Sequence, residues 1–270
     1  MRAISTFNRV STDISEIQHR ITTGQRINSG KDDPGGLIIR EGLRADIKGI
    51  QATQANMTQA EILMDTAAGG MMQLLEIIRG SETNDPSNGG LIGELSGSLT
   101  DVQKQAVAKD FLALYDAAVA TTLYNGEALI GGALATTGKT YQLGDGVGVL
   151  TVKVKDFSSA AGTAAVALKT AIEAGTYNND TTLAAARALQ KEIATELGTL
   201  GGQQKVAAAN QKLLDSRLTS VTASEGRISN ADIAVESSRM ARAELLAQNA
   251  MSSIMYTRNY AAFAVSSLFR

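Results

Sequence analysis

At 270 residues and a formal net charge of −2, the chain can bury a substantial core and gives no electrostatic reason to seek nucleic acid or an anionic membrane as partner. It has no cysteine and one histidine, which excludes a disulfide scaffold, thiolate metal sites and cysteine nucleophiles. Two prolines, no tryptophan and an abundance of Ala, Leu, Gln and Thr favour long helices over sandwiches or barrels.

From the N-terminus, "MRAISTFNRVSTDIS" lacks the apolar core of a secretory signal, so any export is expected to proceed without a conventional cleaved leader. Phe7, Val10, Ile14, Ile17 and Ile21 then recur at steps of three and four, the seam of a helix that pairs with another helix. Gly24 ends the pattern and "GQRINSGKDDPGG" follows as a connector. Asp33-Pro34 reads as a helix start, an acidic N-cap followed by proline at the first helical position. The next seam is longer: Leu43, Ile50, Met57, Met64, Met71 and Ile78 repeat every seven residues. Ile47, Ala68 and Leu75 form a companion row that Gln54 and Glu61 interrupt. A continuous helix from 43 to 78 would be ~54 Å long, and "GSETNDPSNGG" breaks it.

A third helix is predicted from about Thr100, where Thr100 and Gln103 suit a capping box, with Val107, Phe111, Leu114 and Ala118 on one face. "YNGEALIGG" is turn-rich, and "YQLGDGVGVLTVKVKDF" alternates in strand fashion, which predicts a small hairpin or sheet. Residues 158–180 are alanine-rich, with room for a short helix and then a loop. Helix resumes at Thr181 with Leu183, Leu189, Ile193 and Leu197, and after Gly201-Gly202 come Leu214, Leu218, Val221 and Ile228, again at steps of three, four and seven. The last helix is predicted from about Asn230 to the C-terminus, through Ile233, Leu245, Leu246, Met251 and Ile254. No apolar run approaches the roughly 18 residues that span a bilayer, so no membrane insertion is expected.

Chemistry is sparse. His19 lies off the Phe7–Ile21 seam as a solvated helix residue, and a serine triad would need a histidine held by a carboxylate. "GQRINSGK" fails as a phosphate loop, because five residues separate its glycines and Asp32 follows the lysine. "GDGVG" (144–148) reads as a turn. Asp32 and Asp33 read as a helix cap rather than an ion site, and the Met57, Met64 and Met71 stripe as helix–helix core. No residue is nominated for catalysis, for a cofactor or for a metal.

"ITTGQRINSGKDDPGGLII" (21–39) resembles the flagellin hallmark, with Gly24, Arg26, Ile27, Asn28, Ser29, Lys31, Asp32, Asp33, Gly36 and Leu37 in register. "RISNADIAVESSRMARAELLAQNAMSSI" (227–254) resembles the C-terminal flagellin helix at Arg227-Ile228, Ala231-Asp232, Glu236, Arg242-Ala243 and Leu246. "TLYNGEALIGG" (122–132) is similar to the family's Phe-Asn-Gly-x-x-Leu-Leu turn. The fold this implies is mainly α: an elongated antiparallel helical bundle or coiled coil built from both chain ends, with a small β-hairpin region in the middle. Residues 1–36 with 226–270 would form inner-tube helices, and 37–225 a helical spoke with a small β/loop region near 130–180.

The implied function is that of a flagellar filament subunit, exported unfolded through the flagellar secretion channel and polymerised outside the cell. Its implied partners are many copies of itself, an export chaperone, and the hook-junction and cap proteins. Three departures stand out: the large outer domains are absent, "RGSETNDPSNGGLIGEL" replaces the Arg-Glu-Leu-Ala-Val-Gln run that contributes to innate-receptor recognition in the family, and Pro34 stands where alanine is usual. "DDP" with "MRAIST" resembles the hook–filament junction protein, which is the alternative reading.

The self-assembly interface is expected to draw on Phe7, Ile14, Ile21, Arg26 and Asp33, and on the apolar tail residues Tyr260, Phe263, Val265, Leu268 and Phe269. Met1–Gly24 holds 24 residues and Asn230–Arg270 holds 41. If the two helices pair antiparallel, as the resemblance implies, the excess of 17 residues is ~25 Å of C-terminal helix awaiting partners from other copies.

Overall fold

The computed structural model describes residues 2–80, 90–132, 135, 137–142, 148–175 and 180–268, with side chains between 4 and 259 apart from that of residue 180. In chain order the elements are α1 (Arg2–Thr23), α2 (Pro34–Arg79), α3 (Gly90–Ser96), α4 (Asp101–Thr121), β1 (Leu123–Tyr124) and β2 (Glu127–Ala128), then β3 (Lys139–Gln142), β4 (Val149–Val152), α5 (Thr163–Glu173), α6 (Asp180–Ser229) and α7 (Ile233–Leu268). The fold is mainly α, as predicted, and the described residues include two short antiparallel ribbons, β1–β2 and β3–β4, between the long helices. The chain divides into two compact units, residues 1–48 with 217–270 and residues 49–216.

In the first unit α1 and α7 pack together antiparallel, linked at one end by the bridge Gln25–Asn230. A helix of this length is marginal in water by itself, so packing supplies its stability. Val10, Ile17 and Ala243 are buried at the contact, with Ile14, Ile21, Met240 and Ala247 packed around them. Burying Val10 and Ile17 contributes ~1.5–3 kcal/mol each. His19 is exposed.

The second unit holds the larger core. Met57, Met64 and Met71 are fully buried together with Ala60, Leu63, Ala67 and Leu74, so the methionine stripe is core. Gly70 belongs to the same surface: a Cβ there would lie 2.5 Å from Ile130 and Thr122. Asn125 and Gly126 have φ of 52° and 81°, the left-handed pair that a two-residue hairpin turn requires between β1 and β2. Burial alternates through Leu150 and Val152 in β4 and continues to Val154 and Phe157. The Tyr115 hydroxyl donates to the Phe157 carbonyl at 2.6 Å, and burial pushes its pKa well up.

Two sequence expectations change and a third is met. On α4 the buried row is Lys104, Ala108, Tyr115, Ala118 and Val119, whereas Leu114 is 52 % exposed. The large ring of Tyr115 and its hydrogen bond fix the inward face one position away from the leucine. The capping box predicted at Thr100 and Gln103 forms, with the Thr100 backbone N–H and hydroxyl both donating to Gln103 Oε1, at 3.0 and 2.8 Å. The last helix begins at Ile233 rather than Asn230, because Asn230 is taken up by the bridge and Asp232 Oδ1 accepts from the Ala234 and Val235 N–H groups as its N-cap. The break at 81–89 and most of the Gly144–Gly148 turn lie outside the described residues.

Candidate self-assembly site

The site is built from the connector between α1 and α2 and the turn between α6 and α7. Gly24, at φ 68°, sits just past the end of α1, where a left-handed residue closes a helix. Its carbonyl accepts from Ala231 N–H at 2.9 Å, and Arg26 N–H donates to the Ser229 carbonyl at 2.7 Å. Arg26 Nη2 adds a bond to the Ile228 carbonyl at 3.0 Å. Two segments about 200 residues apart in sequence are thus stitched by backbone bonds.

The connector then folds on itself. Asp32 Oδ2 accepts from Ser29 N–H at 2.8 Å, Asn28 N–H at 3.0 Å and the Ser29 hydroxyl at 3.1 Å, while Arg20 lies 3.4 Å from its other oxygen. Asp33 Oδ1 accepts from Gly36 N–H at 2.9 Å, the N-cap bond predicted for it, and α2 starts at Pro34. A side chain at position 36 would lie 2.4 Å from Asp33 Oδ2 and 2.7 Å from Ile27 Cδ1, so Asp33 and Ile27 would have to shift and the N-cap bond would be disturbed. Gly30 and Gly35 meet neither a positive φ nor a close approach, so among the connector glycines only Gly24 adopts a left-handed backbone.

Sequence reading missed Arg40. It is 6 % exposed and reaches across from α2 to donate to the Ile27 carbonyl, with Glu41 bonded to it at 2.8 and 3.1 Å. Ile27 beneath it is 1 % exposed. No spacing in the sequence announces this, since an arginine after Ile38-Ile39 reads as a solvated helix residue.

Among the nominated residues, Phe7, Ile14 and Ile21 are half-buried, and Ile14 and Ile21 pack within the chain on the Val10–Ile17–Ala243 cluster. Arg26 is exposed and Asp33 half-buried, both engaged in the joint. Tyr260, Phe263, Val265 and Leu268 fall within α7, but their side chains, and all of Phe269, lie outside the described residues.

The face that α7 turns toward α1 is rich in alanine, with Met240 and Ile254 as its large apolar members. Glu236, Met240, Ala243, Ala247, Ala250 and Ile254 recur at steps of three and four and are the buried or half-buried positions. Glu236 is 4 % exposed and bonded to Arg239 at 2.7 Å. Four other large apolar residues point elsewhere: Leu245 is 59 % exposed, Leu246 55 %, Met255 61 % and Tyr256 81 %. Alanines let two helices approach closely, which leaves the bulky side chains on the outer faces.

A pH dependence follows at Asp32. The Ser29 N–H above all, then the Asn28 N–H, the Ser29 hydroxyl and Arg20, hold its carboxyl below the ordinary 3.8, against a smaller opposing effect of burial. A depressed folded-state pKa means the stabilisation is present above the ordinary carboxylate range and is lost as pH falls through the lowered value. Acidification from pH 5 to below 3 is therefore expected to speed amide exchange at Asn28 and Ser29, and Asp32→Asn to flatten that dependence. An unchanged acid profile in Asp32→Asn would contradict it.

Paired helices tied at a backbone joint, with bulky apolar residues turned outward, define a helical structural protein that works through its surfaces. Residues 1–135 match the bacterial flagellin N-terminal helical region. Over 140 residues, 51 % of this chain and 27 % of the relative, the sequence is 31 % identical to the B-type flagellin of Pseudomonas aeruginosa. It is 28 % identical over 134 residues to polar flagellin F of Vibrio parahaemolyticus, covering 48 % of this chain and 33 % of that one. The chain thus spans only about a quarter to a third of those relatives' length. A solved structure described as a flagellar hook-associated protein from Vibrio parahaemolyticus matches 74 % of this chain and 100 % of its own at 12 % identity and a TM-score of 0.48. The chain belongs to the bacterial flagellin family, whose members are structural proteins and not enzymes. Among the described residues no helix is long and apolar enough to cross a membrane.

Proposed function

We propose that this chain is the repeating subunit of a flagellar filament, a homopolymer that lies outside the cell and serves swimming motility. The observation that supports this best is the outward face of α7, where Leu245, Leu246, Met255 and Tyr256 are each more than half exposed although the helix already has a partner in α1. A helix apolar on several faces suits surroundings made of protein. In this reading residues 1–36 with 226–270 form the inner tube and 37–225 the spoke. Phe7, Ile14 and Ile21 act by fixing α7, and Arg26 and Asp33 by setting the joint. Tyr260, Phe263, Val265, Leu268 and Phe269 complete the interface between copies. Export through the flagellar channel, with a chaperone and a cap protein, belongs to the same proposal.

The test is electron microscopy of purified protein, beside the double substitution Met255→Asp with Tyr256→Asp. Long filaments are expected from the unaltered chain. Losing two buried side chains worth ~1.5–3 kcal/mol each is expected to raise the critical concentration at least about a hundredfold, with helicity unchanged by circular dichroism. Rings of limited size from the unaltered chain would instead favour the junction role, and filaments from the double variant at the original concentration would remove α7's outer face from the interface.

A further inference from the structure

Within the 49–216 unit, α2 and α6 run side by side, joined by three side-chain hydrogen bonds, and the buried row of α2 repeats itself. Met57, Met64 and Met71 occupy equivalent positions seven residues apart, as do Ala60 and Ala67, and all are fully buried. A seven-residue slip along α2 would find that row presenting the same side chains, and methionine adapts readily to what faces it.

What a slip does change is the polar flank. Gln54 Nε2 donates to Asp215 Oδ1 at 2.6 Å, Gln211 Nε2 to Thr58 Oγ1 at 3.2 Å, and Gln204 Nε2 to Asp65 Oδ1 at 2.7 Å. These pairs advance along α2 by four and then seven residues and retreat along α6 by the same four and seven, so one antiparallel register satisfies all three. A slip of seven in one direction sets Gln54 against Ala208 and Asp65 against Leu197; in the other, Thr58 loses its glutamine. We infer that these hydrogen bonds select the register of the α2–α6 pair, a choice that the seven-residue repeat of α2 leaves open. Polar residues at single positions of paired helices set register in this way, because a mispaired amide or carboxylate loses its partner while the apolar contacts survive. Gln54, which interrupts an apolar row in the sequence, thereby gains a purpose.

The chain has no cysteine, so spin labels on introduced Glu61→Cys and Ala208→Cys, one turn on from Thr58 and back from Gln211, can read the register in the full-length protein. A slip of seven residues is an axial shift of ~10 Å. Gln54→Asp with Gln204→Asp sets carboxylate against carboxylate at two rungs of the native register. Electron–electron double resonance is then expected to show a second, longer 61–208 distance, and a changed distance for labels at 68 and 208. Adding Asp215→Gln and Asp65→Gln restores both pairs with roles exchanged, and should return the single native distance. The same reading holds if the repelling variant loses helicity and the exchanged variant regains it in the native register. The inference is overturned if the repelling variant keeps the native distance alone, or if the exchanged variant fails to restore what the repelling one lost.

Discussion

Removing residues 258–270 is expected to abolish polymerisation while leaving a soluble subunit whose 49–216 unit stays folded. The tail carries Tyr260, Phe263, Val265, Leu268 and Phe269 with no charge between Arg258 and Arg270, on a helix that runs to Leu268. At ~1.5–3 kcal/mol for each buried side chain, even two of them outweigh the roughly 1.4 kcal/mol that changes an affinity tenfold. None of the buried residues of the 49–216 unit lies in the tail, so its core has no reason to respond. Sedimentation and electron microscopy check assembly, and thermal unfolding by circular dichroism checks the fold. Normal filaments from the truncated chain would reduce the tail to decoration.

Replacing Arg40 with alanine is expected to loosen the joint by about 2–3 kcal/mol, since a hydrogen bond to a charged group contributes ~1.5–3 kcal/mol and the side chain also packs over Ile27. Glu41 remains exposed and rehydrates, so the loss stays below that of a fully buried ion pair. In native-state amide exchange the Arg26 and Ala231 N–H groups, which bond to Ser229 and Gly24, should exchange about thirtyfold faster or more, while amides in the 49–216 unit keep their rates. Arg40→Lys should recover only part of this, because an ammonium cannot reach Ile27 and Glu41 with the same fork. Wild-type exchange at Arg26 in Arg40→Ala would show that the joint holds without it.

The elements were legible in the sequence wherever a local rule sufficed. Seven-residue spacing marks α2 and its buried methionines, Asp33-Pro34 marks where α2 begins, Gly24 marks where α1 closes, and Asn125-Gly126 marks a tight turn. In each case the cause lies within a few residues, in helical periodicity, a capping bond or a left-handed φ. Which face turns inward was decided by tertiary structure. Leu245 and Leu246 look like seam residues of α7, yet Ala243, Ala247 and Ala250 hold that place because close approach of α1 selects small side chains. Leu114 looks like core, yet Tyr115 and its bond to Phe157 turn α4 by one position. Arg40 became a clamp only because the connector returns beneath α2, and the register of α2 on α6 rests on hydrogen bonds between residues more than a hundred positions apart. Periodicity fixes how a helix repeats along itself, but it carries no information about the partner that picks one of its faces.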